Sequence, residues 1–176
     1  MKRLEEALIN NTLYFYRYKV LNSVKLIEAR IPINIEIFKP SLLKLKDHSG
    51  RLLIYIFWYI FTMGRYQIFY ARDIKGSMIH YSHILPKFFK FPFMNKNDLE
   101  IGPCWTSENF RGMNIYPAVL TYIIKNLSNK HRTFYIMTDC DNIASKKGIE
   151  KAGFILHAVG GKRGLLGKYY TNEFII

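Results

Sequence analysis

The chain has 176 residues, 26 of them Lys or Arg and 13 Asp or Glu, for a formal charge of +13. That length suits one domain able to bury roughly 70% of the unfolded chain's surface, and the charge predicts an anionic partner: a nucleotide, nucleic acid, phosphorylated sugar or membrane surface. Two cysteines, Cys104 and Cys140, are too few for a disulfide scaffold and agree with a reducing, cytoplasmic setting.

The opening MKRLEEALINN carries Glu5 and Glu6 and lacks the uninterrupted apolar stretch of a signal peptide. IPINIEIF, Ile31 to Phe38, alternates isoleucine with other residues as a half-buried strand does, with Pro32 best placed at its start. Helical turns are expected from Ser41. LLIYIFWYIFTM, Leu52 to Met63, has no charged residue and is flanked by Arg51 and Arg65. It falls short of the ~20 apolar residues of a membrane span. The expectation is a buried helix forming a core wall, with an interfacial membrane segment as the alternative.

YQIFYAR and SMIHYSHIL flank the turn DIKG and read as a hairpin. FFKFPFMNKND, Phe88 to Asp98, crowds four phenylalanines; packing is expected, and aromatic plus basic groups also suit stacking on a sugar or nucleobase beside phosphates. LEIGPCWT and TFYIMTDC then bracket ENFRGMNIYPAVLTYII, in which Ile115, Val119, Tyr122 and Ile123 recur at helical spacing and Pro117 fits a first turn. The helix should start near Asn114, and Gly112 ahead of it permits close approach to the backbone. Strand, turn, helix and strand make a βαβ unit, whose ligands bind beyond the carboxyl ends of the strands. Free N–H groups and the helix dipole favour a phosphate there. The competing reading has Asn114 capping its own helix, with Tyr116 as the obvious N–H donor because Pro117 has none. The closing FILHAVGGKRGLLGKYYTNEFII gives two strand-like runs around a basic glycine-rich turn, with Lys162 and Arg163 expected as solvated turn charges.

The order of strand LEIGPCWT, loop SENFRGMN, helix, strand TFYIMTDC and DNIASKKGIEKAGF resembles the acetyl-CoA-binding half of the GNAT acyltransferases over Leu99 to Phe154. Asn109, Gly112 and Asn114 stand where that family has Gln or Arg, Gly, and Gly or Ala; two of these positions depart, while Arg111 takes its common place. Asn142, Ser145, Glu150, Lys151, Gly153 and Phe154 match the family's second motif. The resemblance implies an α/β fold: a single GNAT-like domain with a mixed, splayed sheet and flanking helices. It implies acetyl-CoA or a related acyl-CoA as cofactor. Cys104, Trp105 and Thr106 would offer main-chain groups to pantetheine; Arg111, Gly112, Met113, Asn114, Ile115 and Tyr116 would hold the pyrophosphate; Asn142 and Ser145 would line the far side.

The implied reaction is acyl transfer to an amine. Similarity to members of bacterial surface-polysaccharide synthesis suggests a small-molecule acceptor, a nucleotide-linked amino sugar. The alternatives are O-acylation of a saccharide, or an inactive fold binding nucleic acid or a membrane surface; no recognition helix or aromatic RNA motif supports nucleic acid. A homodimer is compatible with all of these. Many family members donate a proton from a tyrosine seven residues after the motif's asparagine, a position held here by Ile149. Tyr116, water, or release of a thiolate of pKa ~8.5 must serve instead. Glu100, four residues before Cys104 and expected on the same strand face, is the first candidate base; His83 and His80 are its rivals. No histidine partner for Cys104 can be read from the sequence, so it is expected as a small buried residue, not a nucleophile.

Overall fold

The computed structural model describes residues 12–19, 24–46, 52–128, 132–164 and 166–174. The opening segment read above for a signal peptide, and Arg51, lie outside them. The strands are β1 (Leu13–Lys19), β2 (Asn34–Phe38), β3 (Gln67–Arg72), β4 (Met78–Pro86), β5 (Leu99–Thr106), β6 (Thr133–Asp139), β7 (Ile155–Arg163) and β8 (Lys168–Phe174). The helices are α1 (Leu52–Thr62), α2 (Ile115–Leu127) and α3 (Ile143–Lys151). All eight strands form one sheet in the order β2-β3-β4-β5-β6-β1-β7-β8. Only β5 and β6 run parallel; every other neighbouring pair is antiparallel.

The two expected hairpins, β3–β4 and β7–β8, form as read, and β5-α2-β6 is the expected βαβ unit. Asp73 closes the first hairpin turn by accepting from Lys75 N–H and Ser77 N–H, each at 2.9 Å. Strand β1, LYFYRYK, was not anticipated. It sits between β6 and β7, with Phe15 and Tyr16 both almost wholly buried. A strand covered on both faces loses the apolar–polar alternation that marks a half-exposed one.

Alternation along the strands sorts the core into two layers. Phe69, Ala71 and Phe134 face α2 and α3, among Ile115, Val119, Leu120 and Ile149. Ile68, Tyr70 and Tyr135 face the other way, onto Tyr55 of α1 and the aromatic loop of Phe88, Phe91 and Met94.

Two sequence expectations fail in the same region. Residues 41–46 make a tight turn, with Ser41 and Lys44 exchanging backbone hydrogen bonds of 2.9 and 3.1 Å, and no helix. Helix α1 forms where expected, yet only Tyr55 and Thr62 of it are buried, while Leu53 is 78% exposed. It is a helix lying on the sheet with its outer side uncovered, because no further layer packs over it among the described residues.

Candidate active site

Strand β5 carries a bulge that controls the site. Ser82 pairs with Cys104 but Ile84 with Ile101, so β5 uses three residues where β4 uses two. Glu100 is therefore opposite Leu85, and Cys104 opposite Ser82. Since Ser82 and Leu85 lie on different faces, the expectation that Glu100 and Cys104 share a face is overturned: one extra residue exchanges the two faces.

The sheet nevertheless brings them together, because it opens between β5 and β6. Those strands pair only at Leu99 with Phe134 and at Glu100 with Tyr135. Beyond Glu100 the side of β5 that faced β6 has no strand beside it. Two cavities meet in the opening. One, of about 700 Å³, runs from Leu53, Phe57 and Trp58 of α1 past Glu100 to Cys104. The other, of about 680 Å³, runs from Cys104 and Thr106 past Gly112 and Asn114 to Lys147 and Lys151. Cys104, Tyr116, Asn142 and Ser145 line both.

The second cavity gathers nearly all of the residues expected around a cofactor: Cys104, Trp105, Thr106, Arg111, Gly112, Asn114, Ile115, Tyr116, Asn142 and Ser145. Met113 is the exception. Its side chain packs against the core and its carbonyl accepts from Arg30 N–H at 2.9 Å, away from the groove. Asn114 does not cap α2. It adopts a left-handed conformation, φ 58°, and its Oδ1 accepts from Lys151 Nζ at 2.8 Å. The first backbone bond onto α2 is Ala118 N–H to the Asn114 carbonyl, leaving Ile115 and Tyr116 N–H without a protein acceptor among the described residues. Gly112, at φ 78°, has open space where a Cβ would stand. Asn142 does cap α3, accepting from Ser145 N–H at 3.0 Å, and Gly153, at φ 89°, ends that helix before buried Phe154.

Glu100 is buried, and its Oε2 has no hydrogen-bond partner among the described residues. Loss of solvent raises its pKa well above the ordinary carboxylate range, and the Lys162 charge opposes that rise in part. Lys162 is exposed, as a solvated charge should be, yet it stands in β7 and not in the turn, paired with Tyr169 and lining the first cavity. At the junction Cys104 stands opposite Ser82 on β4 and shares both cavity walls with Tyr116; the Ser82 and Tyr116 hydroxyls oppose in part the effect of burial on its thiol. Burial pushes the Cys104 thiol up to about 12, so it is a neutral thiol and not a ready nucleophile. Burial likewise raises Tyr116, which keeps its proton.

Neither histidine enters the cavities. His80 is fully buried and spends both ring nitrogens, Nδ1 on Thr106 Oγ1 at 2.7 Å and Nε2 on Ser82 Oγ at 2.8 Å. His83 lies behind Trp58, with ring centroids 4.7 Å apart, and its Nδ1 is buried without a partner. Burial lowers both to about 3, leaving neutral imidazoles. The candidate role of His83 as a base is withdrawn for want of access. His80 instead lies beneath the site and holds Ser82, the strand partner of Cys104. Sequence reading missed Ser82, Lys147 and Gly148. A Cβ on Gly148 would stand 2.8 Å from Tyr116 Cδ1, so this glycine inside α3 makes room for the tyrosine ring. Two lysines and a glycine on one helix face were the available signal.

No protein-family model and no curated protein matches the sequence. Solved structures do. A GCN5-related N-acetyltransferase from Sphaerobacter thermophilus aligns with TM-score 0.63 and 12% identity over 90% of this chain and 53% of its own. An acetyltransferase of the GNAT family from Colwellia psychrerythraea aligns at 0.53 and 17%, over 89% and 58%. A tandem GNAT protein of the clavulanic acid pathway aligns at 0.53 and 12%, over 83% and 50%. The chain has the GNAT fold. It spans about half the length of these proteins. The matched structures share this fold at only 9–17% sequence identity.

Proposed function

We propose that this protein transfers an acyl group from acyl-CoA to an amine. The observation that carries the reading is the meeting of the two cavities at Cys104 and Tyr116, with a buried unpartnered carboxylate oxygen on Glu100 in the first and free helix N–H groups at the end of the second. The groove suits acyl-CoA on three counts. Ile115 and Tyr116 N–H and the helix dipole meet an anion; Arg111, Lys147 and Lys151 add positive charge; the open side of β5 offers main-chain groups to an amide-bearing arm. Acetyl-CoA or a longer acyl-CoA would supply the acyl group as an activated thioester.

The remaining chemistry falls to side chains of this chain. Glu100, in carboxylate form, takes a proton from the ammonium of the acceptor, directly or through one water, and Lys162 favours that form. Tyr116 stays protonated and donates a hydrogen bond at the junction, where sulfur charge develops on departure. A thiol of pKa ~8.5 needs no stronger acid at neutral pH, which answers the absence of a tyrosine at Ile149, a position wholly inside the core.

The acceptor in this reading is an amino sugar, nucleotide-linked in the fuller form, and its use in surface-polysaccharide synthesis is part of the proposal. Phe57 and Trp58 offer stacking faces along the first cavity, and Lys90 and Lys162 offer charge for phosphates. Calorimetry with acetyl-CoA, followed by thiol release against a panel of amino-sugar nucleotides, tests the reading. Binding with acceptor-dependent thiol release is expected. No binding at millimolar acetyl-CoA refutes it.

A further inference from the structure

Helix α1 is inverted relative to a helix that covers a core. Its buried positions are Tyr55 and Thr62, and the Thr62 hydroxyl is spent on the Trp58 carbonyl at 2.6 Å. Its outer positions are aliphatic or aromatic: Leu53, Ile60 and Phe61 are 78%, 62% and 44% exposed. With half-buried Phe57 they follow the i, i+4, i+7, i+8 spacing of one helical stripe. Leu42 and Leu43, 80% and 100% exposed, stand in a turn anchored through Leu45 in the same cluster as α1. A contiguous apolar surface of this kind marks an interaction site.

Charge says what covers it. Residues 39–46, 52–72 and 86–97 contain no Asp or Glu, while Lys39, Lys44, Lys46, Arg65, Lys87 and Lys90 stand in them. Arg65 and Lys87 are exposed, and Lys90 Nζ lies 5.1 Å over the Phe57 ring, an aliphatic stem along the patch with its cation at the rim. Among the described residues the charges on the segments beside α1 are cations, complementary to the headgroups of an anionic bilayer. It does not cross: 11 residues at ~1.5 Å each reach about half of a ~30 Å hydrocarbon core, and among the described residues no helix is long and apolar enough to span a membrane.

We propose that α1 and the 41–46 turn dock the protein on an anionic membrane surface, with the stripe from Leu53 to Phe61 entering the headgroup boundary. Leu53, Ile54, Phe57 and Trp58 also wall the first cavity, so docking sets its mouth at the lipid surface. The docking stands independently of acyl transfer.

Co-sedimentation of the full chain with phosphatidylcholine vesicles, with and without phosphatidylglycerol, tests the proposal in the absence of any CoA. Binding is expected to the mixed vesicles and to weaken with added salt. Arg65→Gln should weaken it about fivefold, the effect of one cation near an anionic surface. Leu53→Glu with Ile60→Glu should abolish it while thermal unfolding stays cooperative; should that pair fail to fold, Leu53→Ser with Ile60→Ser serves in its place. Absence of binding to mixed vesicles, or binding unchanged by these substitutions, overturns the proposal. So does sedimentation velocity showing a dimer that Ile60→Glu dissociates without any vesicle binding, because a second copy then covers the patch.

Discussion

Helices α1 and α2 lie on opposite faces of one sheet, both drawn from strongly apolar sequence, and the fold treats them differently. Eight residues of α2 are buried, from Ile115 to Ile124, whereas α1 buries two. The cause is a second cover. The segment at 27–30 crosses over α2, where Ile27 N–H donates to Thr121 Oγ1 at 3.1 Å and Arg30 N–H to the Met113 carbonyl at 2.9 Å. Nothing comparable crosses α1 among the described residues. An apolar run thus records a preference for leaving water without recording what it meets instead. The two faces divide the work accordingly: the α2 face supplies a rigid groove with a fixed helix terminus, and the α1 face supplies a cavity whose wall is open to the outside.

The sharpest way to break this division is at Glu100, which belongs to the α1 face and is the proposed base in the first cavity. Glu100→Gln should bind acyl-CoA like the parent and lose ~10² to 10⁴ in turnover at neutral pH. The deficit should shrink as pH rises and free amine becomes abundant, read by thiol release across pH. Equal turnover in the two proteins would return the reaction to positioning alone.

The same substitution has a signature in stability. A carboxyl whose pKa is raised on folding stabilises the native state below the ordinary pKa of 4.5, and that contribution is lost as pH rises toward the raised value. Parent and Glu100→Gln should therefore melt alike near pH 4, and the variant should melt higher at alkaline pH. A parent that gained stability relative to the variant on going alkaline would show that Glu100 is paired in the native state.

Packing gives the next contrast. Leu120→Ala in α2 removes a wholly buried side chain and should cost ~2 to 5 kcal/mol in denaturant unfolding. Leu53→Ala in α1 removes a side chain 78% exposed and should stay within ~0.5 kcal/mol. Equal costs would mean that α1 is covered in solution.

Much of the α2 face was legible because its signals are local. Gly112 before α2 and Gly153 ending α3 each report a backbone conformation that other residues avoid, and Pro117 marks a first helical turn. The α1 face was read less well, since its determinants are non-local. Whether LLIYIFWYIFT is covered depends on a layer contributed from elsewhere in the chain. The face of Glu100 depends on a bulge set by pairing with β4, and its meeting with Cys104 depends on β6 diverging after a single turn of ladder. Strand β1 carried aromatic residues on both faces, and its partners β6 and β7 lie more than a hundred residues away.

The smallest expected effect concerns Gly148, where helix propensity and site geometry pull in opposite directions. Alanine is favoured over glycine inside a helix by ~1 kcal/mol, so on α3 alone Gly148→Ala should stabilise. The added Cβ, however, would stand 2.8 Å from Tyr116 Cδ1, closer than side-chain carbons approach, and the ring must shift. The expected outcome is a melting temperature close to that of the parent, the propensity gain being offset by the displaced ring. Acyl-CoA affinity and turnover should both fall, because Tyr116 lines both cavities where they meet at Cys104. Tyr116→Ala in the Gly148→Ala background separates the two causes: if the loss acts through the ring, the double variant is no worse than Tyr116→Ala alone. Fully additive losses would show that Gly148 serves the groove by its own backbone and that its contact with Tyr116 is incidental.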